Sequence, residues 1–265
     1  MADKPKIGIV SLGLIGGSIL KALYKNYKVF CYSGTCPKEA FEYSENISDS
    51  LDVVKDCDIV FVCSPISKTL EILNALEDIL KNDCIVADCA SVKKDLLNKK
   101  FNYNFILSHP MAGREITGFD GAQADLFEGA KWLIEEENSL LIEIIKNMGA
   151  IPITFDMNKH DYSCAKISHL PMFLAYALFY NADNDSKKIA SSGFRDMTRL
   201  ASNPKMSVDM LEHNRENIDI ALNEMIEKLN YLKNLPYDEK IKLFNNISLD
   251  RAMMYDKDGK NVFKS

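Results

Sequence analysis

One histidine of this chain occupies a position at which chemistry is expected. The chain has four histidines, and His109 follows a short apolar run, residues 105–107, which predicts the end of a β-strand. Ligands of open parallel sheets bind at such strand ends. Because Pro110 biases the preceding residue to extended geometry, we expect His109 to lie on a rigid turn beside a cleft. Histidine titrates near neutrality, so His109 is a candidate general base. The alternative interpretation is a histidine that caps a loop through a backbone carbonyl.

A serine at the end of a neighbouring strand is the second candidate for chemistry. Residues 84–88 predict a strand, and Ser91 follows it. Since Ser91 and His109 both lie just beyond strand ends, the serine hydroxyl can point at the histidine. The alternative is that Ser91 is the N-cap of a helix over residues 95–97.

A glycine turn near the start of the chain predicts dinucleotide binding. A buried strand over residues 6–10 leads into the turn, and an amphipathic helix follows, in the order that a dinucleotide fold needs. Gly13 allows the backbone to approach a pyrophosphate, and Gly16 allows the helix to pack closely on the strand. Ser11 stands where the first glycine of G-x-G-x-x-G is expected. The predicted cofactor-binding residues are Ser11, Gly13, Leu14, Ile15 and Gly16, with Ser33, Ser64 and Pro65 at the ends of later strands.

The end of the second predicted strand bears on the choice of nicotinamide cofactor. An acidic residue is expected there to hold the ribose 2′-hydroxyl, but the chain has Ser33-Gly34-Thr35, with Lys38 nearby. Without a carboxylate to repel it, a 2′-phosphate can be accepted, which favours NADP+. The alternative is that Ser33 binds the ribose of NAD+.

Composition restricts the class of protein. The chain of 265 residues is 47% hydrophobic and 26% charged, as in ordinary soluble proteins. A formal charge of -6 argues against nucleic acid or an anionic membrane as a partner, and no apolar run reaches spanning length. None of the seven cysteines forms a C-x-x-C pair, so neither a zinc ribbon nor a redox dithiol is indicated. We also expect no metal site, because no cluster of His, Cys and Asp residues is evident in the sequence. The start of the chain leads straight into a strand, so we expect no secretory signal and a cytoplasmic location.

The pattern of elements predicts two domains. Strands and helices alternate up to residue 155, with residues 131–134 and 151–154 as later strands, which indicates a doubly wound α/β sheet. From Asp156 onward the pattern is helical. A long helix over residues 160–182 carries His169 beside a kink at Pro171. We therefore predict a dinucleotide-binding domain over residues 1–155 and a helical domain over residues 156–265.

Two further features lie in the predicted helical half. Residues 192–200 predict an irregular joint that contains Arg199, a residue type that can hold a substrate carboxylate by a bidentate pair. The alternative is a solvated surface arginine. Residues 208–235 carry an apolar stripe at helical spacing, which indicates core or a dimer seam.

Five segments together resemble the prephenate dehydrogenase family of tyrosine biosynthesis, which includes arogenate dehydrogenases. They span most of the chain in the family's order. Three positions depart from the family pattern. Ser11 replaces the first glycine of the loop, Met172 stands where a second histidine is expected, and Ser207 stands where a tryptophan is expected. The matching segments are LGLIGGS at 12–18, DCASVK at 88–93, SHPMAG with Glu115 at 108–115, SHLP at 168–171 and GFRDMTRLASNP at 193–204.

The resemblance implies a fold, an activity and residue roles. The fold is a Rossmann domain followed by an all-helical domain that builds a homodimer. The activity is oxidative decarboxylation of prephenate to 4-hydroxyphenylpyruvate, with hydride transfer to NAD+ or NADP+. By match, His109 takes the proton of the ring hydroxyl and Ser91 bonds this histidine. Arg199 binds a substrate carboxylate, and Glu115 and His169 line the site.

Three alternatives remain open at this point. Arogenate can be the substrate, because the departures at Met172 and Ser207 lie on the substrate side. Another two-domain dehydrogenase or an imine reductase shares the glycine turn, although it is not expected to carry both the Ser91 and the His109 segments. A non-catalytic dinucleotide-binding regulator predicts cofactor binding without turnover.

Overall fold

The computed structural model describes residues 4–114, 116–202, 204–256, 259, 261 and 262. Glu115 and the side chain of Ser207 therefore lie outside the described residues. The chain divides into two compact units, one ending at Arg215 and the other beginning at Glu216. The predicted boundary between residues 155 and 156 does not coincide with this division and remains a prediction.

A six-stranded parallel sheet forms the centre of the first unit. Its strand order is β3-β2-β1-β4-β5-β6, with every neighbouring pair parallel. This is the order of the Rossmann fold, so the predicted fold class is confirmed. Helix α1 spans Leu14–Leu23 and helix α2 spans Ile66–Leu76. The strands are β1 (Lys6–Val10), β2 (Lys28–Tyr32), β3 (Ile47–Ser48), β4 (Ile59–Val62), β5 (Ile85–Asp88) and β6 (Asn104–Ile106).

Apolar side chains cover both faces of this sheet. Ile9 and Phe61 pack in one buried cluster with Leu20 of α1. Val60 packs in a second buried cluster with Leu73 of α2. Strands buried on both faces carry continuous apolar runs, as these do, because helices cover a parallel sheet from both sides. The carboxyl ends of the strands are thereby held on a rigid support.

A second sheet of three strands contains His109. Strand β7 (Ser108–Pro110) pairs antiparallel with β8 (Lys131–Ile134), and β8 pairs parallel with β9 (Ile151–Thr154). Helix α3 (Ser139–Asn147) connects β8 to β9. The strands predicted over residues 131–134 and 151–154 are present, and they belong to this second sheet.

The prediction of a turn at His109 is also wrong. His109 lies in β7, opposite Leu133. Strand β7 is at the edge of its sheet. Backbone bonds from Met111 to Lys131 and from Glu135 to Leu107 flank this pair, so the nitrogen of Pro110 faces away from β8. An edge strand tolerates proline for this reason.

Helices make up the rest of the first unit. The predicted helix over residues 160–182 is present from His160 to Asn181 as α4 (His160–Cys164), a π-helical turn (Ala165–His169) and α5 (Leu170–Asn181). Pro171 has no N–H for an α-helical bond, and the preceding Leu170 N–H reaches back to the Ala165 carbonyl in π-helical fashion.

The segment predicted as an irregular joint is helical instead. Helices α6 (Asn184–Lys188) and α7 (Ser192–Thr198) lead into a 3-10 turn, Arg199–Ser202. The single glycine in α7 does not break it. The predicted helix over residues 95–97 is likewise wrong, because this segment forms turns.

Two long helices follow. Helix α8 (Pro204–Asn234) leaves helical geometry at Asn214, where φ is -131° and ψ is 23°. Helix α9 (Tyr237–Met254) lies entirely in the second unit. Within the described residues, no helix has both the length and the apolar character needed to cross a membrane.

Candidate active site

The glycine turn has the geometry of a dinucleotide cradle. A Cβ on Gly13 would enter open space, whereas a Cβ on Gly16 would lie 2.0 Å from the carbonyl oxygen of Ser11. No side chain caps the N-terminus of α1, which begins at Leu14 and includes Ile15. Uncapped N–H groups at a helix start attract phosphate. The residues present therefore fit a dinucleotide pyrophosphate.

Ser11 adopts the conformation that the missing glycine would favour. Its φ is 79°, in the left-handed region, and its N–H donates to the carbonyl of Tyr32 at 2.8 Å. The replacement thus preserves the turn while placing a non-glycine residue in a strained region.

The serines at the next strand ends are buried and engaged locally. The hydroxyl of Ser33 shares a hydrogen bond with that of Thr35 at 3.3 Å. The hydroxyl of Ser64 shares one with Thr69 at 3.1 Å, and Pro65 precedes the first residue of α2. Their contacts with a cofactor remain predictions.

A hydrogen-bonded chain of two histidines and an aspartate lies beside β7. His109 Nδ1 is 2.9 Å from His160 Nε2, and His160 Nδ1 is 2.7 Å from the Asp161 carboxylate. His160 is fully buried, while His109 is partly exposed. His109 uses Nδ1 in this hydrogen-bonded chain. Its other ring nitrogen, Nε2, is therefore the atom that can bind a substrate hydroxyl.

The Asp161 carboxylate is held by three N–H donors. Besides the ring of His160, the backbone N–H groups of Lys93 and Lys94 donate to it at 2.7 and 2.8 Å. Burial alone would raise the pKa of Asp161, but these hydrogen bonds hold the pKa below its usual range. Asp161 is therefore an anion that anchors the buried end of the chain.

A buried ion pair fixes β7 against the first sheet. Lys93 and Asp88 are both fully buried and paired. Lys93 Nζ also donates to the carbonyls of Ala90, at 2.8 Å, and Ser108, at 2.5 Å. The N–H of Ser108 donates to the Asp88 carboxylate at 3.0 Å. The pair thus determines the position of the strand that carries His109.

The surroundings of His109 keep its ring neutral. Burial lowers its pKa well below 6.5, and the positive charge of Lys93 and the neighbouring rings of His160 and His169 act in the same direction. A neutral imidazole can accept a proton at physiological pH, which is the state that a general base needs.

The other predicted site residues are placed differently. His169 is buried in the π-helical turn, its Nδ1 lies 3.3 Å from the amide nitrogen of Asn214, and burial lowers its pKa to about 4. Arg199 is exposed and lines a groove of about 1110 Å³ whose lining includes no histidine. Within the described residues, no hydrogen bond joins Ser91 to His109. The predicted role of each remains a prediction.

Sequence analysis missed the residues that hold His109. Neither His160 nor Asp161 was singled out, and Asn214, whose amide donates to the Asp161 carbonyl at 2.8 Å, was also missed. The adjacent histidine and aspartate at the start of α4 were the available signal. Their pairing with a residue 51 positions away was not visible in the sequence.

The structure also brings together three atoms that can bind a metal. His109 Nδ1, His160 Nε2 and Cys164 Sγ lie within 4.8 Å of one another. The sequence analysis did not predict this cluster. Two nitrogens bound to one zinc ion would be about 3.3 Å apart, whereas these two are 2.9 Å apart. The observed spacing is that of a hydrogen bond.

The fold and the glycine turn define a Rossmann-type dinucleotide-binding protein. Residues 35–150 match the prephenate dehydrogenase nucleotide-binding domain, and residues 156–247 match the prephenate dehydrogenase dimerization domain. A prephenate dehydrogenase of Lactococcus lactis subsp. cremoris is 32% identical over 82% of this chain and 70% of that protein. The chain belongs to the prephenate dehydrogenase family.

Two solved structures are similar over nearly the whole chain. Arogenate dehydrogenase of Synechocystis is 29% identical, with a TM-score of 0.80, and the match covers 93% of this chain and 98% of that one. Prephenate dehydrogenase of A. aeolicus, in complex with hydroxyphenyl propionate and NAD+, is 26% identical, with a TM-score of 0.78. That match covers 94% of this chain and 98% of the other.

Proposed function

We propose that the protein catalyses the oxidative decarboxylation of prephenate to 4-hydroxyphenylpyruvate in tyrosine biosynthesis. The observation that carries the proposal is the neutral His109, held through Nδ1 by the buried His160–Asp161 pair. Membership of the prephenate dehydrogenase family supports the same reaction.

His109 acts as the general base of this reaction. When bound, the nicotinamide cofactor supplies the acceptor for the hydride that leaves the substrate's carbinol carbon. His109 takes the proton of the hydroxyl on that carbon, so the C–O bond becomes a carbonyl as the hydride departs. Loss of carbon dioxide returns an electron pair to the ring, which becomes aromatic. General-base catalysis of this kind contributes about 10²–10⁴-fold.

Four further residues complete the proposed site. Arg199 binds a substrate carboxylate, and the hydroxyl of Ser91 bonds His109. Glu115 and His169 line the site. For Arg199 the support is its exposed position on the wall of an open groove, which has room for a substrate whose carboxylate an arginine can bind.

The cofactor is NAD+ or NADP+, with a preference for NADP+. The support is the end of β2, where Ser33 and Thr35 stand in place of a carboxylate and Lys38 begins a 3-10 turn nearby. A 2′-phosphate meets no negative charge from these residues. The complex of the A. aeolicus relative holds NAD+, so both cofactors belong in the test.

A cytoplasmic homodimer is part of the proposal. Residues 156–247 match a dimerization domain, and the second unit exposes large apolar side chains such as Ile226, Leu229 and Phe244. Burial of such side chains against a second copy would stabilise a dimer. All seven cysteines are free thiols, as expected in a reducing compartment.

An assay of four combinations tests the proposal. Purified protein is mixed with prephenate or arogenate and with NAD+ or NADP+, and the absorbance of reduced nicotinamide is followed. We expect turnover with prephenate, faster with NADP+. Turnover with arogenate but not with prephenate would show that arogenate is the substrate, as it is named for the similar Synechocystis enzyme. Cofactor binding without turnover in all four mixtures would overturn the proposal in favour of a dinucleotide-binding regulator.

A further inference from the structure

We propose that His160 and Asp161 are positioning residues which hold His109 in the tautomer with its proton on Nδ1 and its lone pair on Nε2. The inference rests on the proposed function, because it assigns the atom of His109 that receives the substrate proton. It follows from the order of donors and acceptors along the chain.

The acceptor end of the chain is Asp161. An ionised carboxylate only accepts hydrogen bonds, and this one accepts from the backbone N–H groups of Lys93 and Lys94. His160 Nδ1, at 2.7 Å from the same carboxylate, must therefore carry a proton. The backbone carbonyl of Asp161 separately accepts a hydrogen bond from the side-chain amide of Asn214. Hydrogen bonds therefore hold both the carboxylate and the backbone of this residue.

The proton on Nδ1 determines what the other nitrogen of His160 does. In a neutral imidazole with Nδ1 protonated, Nε2 is an acceptor. It faces His109 Nδ1 at 2.9 Å and the thiol of Cys164 at 3.5 Å. Burial raises the pKa of Cys164 to about 12, so the thiol keeps its proton and is a weak donor. The stronger donor to His160 is therefore the N–H at Nδ1 of His109.

The tautomer of His109 follows from this contact. With its proton on Nδ1, neutral His109 has its lone pair on Nε2, the nitrogen directed away from the chain. When Nε2 accepts the substrate proton, the O–H bond breaks and an N–H bond forms on His109. The resulting imidazolium donates through Nδ1 to His160, whose other nitrogen is bonded to the Asp161 anion. The charge that develops on the base is therefore stabilised through two hydrogen bonds.

Several ionisable groups surround the chain and act on the base. The positive charge of Lys93 lowers the pKa of His109, and the rings of His160 and His169 oppose a second positive charge beside them. Asp161 is the anion of the chain, and Asp88 neutralises Lys93. Removal of the Asp161 charge would therefore leave the imidazolium of His109 less stabilised and lower its pKa further.

Nitrogen NMR of the imidazole rings tests the placement of the proton without any substrate. The chain has four histidines, so single variants assign the signals. We expect wild-type His109 to be protonated on Nδ1. In His160→Leu, which offers no acceptor, we expect His109 to change to the Nε2-protonated tautomer that free histidine favours. Protonation of wild-type His109 on Nε2 would overturn the proposal, whether or not the variant folds.

Kinetics separate positioning from a merely structural role. We expect His160→Leu to lower kcat by about 10²-fold, with KM and the Kd of the cofactor changed less than about twofold. His160→Gln restores an oxygen acceptor and should recover part of the loss. Asp161→Asn should move the acid limb of the rate profile to lower pH. The matched control is His213→Gln, because His213 pairs with Asp95 and is not part of the hydrogen-bonded chain of His109, His160 and Asp161.

The two proposals fail in different ways. A folded His160→Leu with wild-type kcat and pH profile would overturn the positioning role alone. Absence of turnover by the wild-type protein with prephenate and arogenate would overturn the proposed function, while the tautomer spectrum would still decide the proton placement.

Discussion

His109 Nδ1 lies 2.9 Å from His160 Nε2, although 51 positions separate the two residues in the sequence. One residue belongs to an edge strand, β7, and the other begins helix α4. The contact therefore requires that the strand and the helix pack together before the proposed base acquires its partner. The buried Lys93–Asp88 pair, which holds β7, supports the same contact.

The pKa of His109 predicts the pH dependence of turnover. Burial and nearby positive charge lower this pKa well below 6.5. The neutral base persists as pH falls through 6.5, and the rate decreases only when His109 is protonated at lower pH. The acid limb of kcat/KM, which reports ionisations of the free protein, should therefore lie below 6.5, as measured by steady-state rates between about pH 4.5 and 8. An acid limb centred at or above 6.5 would contradict the assignment of His109.

Removal of the Arg199 side chain should weaken substrate binding. A charge-assisted hydrogen bond to a carboxylate contributes about 1.5–3 kcal/mol, so Arg199→Ala should raise KM by about 10- to 100-fold with little change in kcat. Arg195→Ala is the matched control, since Arg195 is exposed and paired with its neighbour Asp196 at 3.0 Å. Equal effects of the two substitutions on KM would show that Arg199 has no special role.

The conformation of Ser11 predicts a stabilising substitution. Its φ of 79° is unfavourable for a residue with a Cβ. Ser11→Gly should raise the free energy of unfolding by up to about 1 kcal/mol, less the entropy that glycine gains in the unfolded chain. Gly16→Ala should instead destabilise by about 1–3 kcal/mol, because its Cβ would lie 2.0 Å from the Ser11 carbonyl. Urea denaturation measures the free energy of unfolding of both variants. A Ser11→Gly protein less stable than the wild type would contradict the claim that the backbone of Ser11 is strained.

His169 predicts a loss of stability in acid. Its pKa is about 4 in the folded chain, against 6.5 for an ordinary histidine. Because the unfolded chain binds this proton first, stability is complete above about pH 6.5 and is lost as pH falls toward 4. The gap corresponds to about 3 kcal/mol. His169→Gln should flatten the dependence of the unfolding free energy on pH. If the unfolding free energy of His169→Gln depends on pH as steeply as that of the wild type, His169 is not the source of the acid instability.

The sequence predicted the parts of the site that local patterns encode. The strand, glycine turn and helix around Gly13 follow a fixed spacing, and the apolar runs of β1, β4 and β5 correspond to buried strands. His109 was recognisable because it follows one of these runs. In each case the signal lies within a few residues, where backbone geometry and burial act directly on residue type.

The remaining parts depend on contacts between distant segments. The pairing of β7 with β8 and the burial of Lys93 arise only when separate segments pack. Asp161 resembles an ordinary first-turn acidic residue of a helix in the sequence, yet its carboxylate accepts the N–H groups of Lys93 and Lys94. Spacing along the chain carries no information about such partners.

The central claim is that His109 is the base which removes the substrate proton, and one substitution tests it most directly. His109→Asn and the wild-type protein are compared for formation of reduced nicotinamide from prephenate, with cofactor binding measured in parallel by fluorescence. The account predicts that kcat falls by about 10²–10⁴-fold in the variant, while the Kd of the cofactor stays within about twofold. Turnover at the wild-type rate by His109→Asn would contradict it.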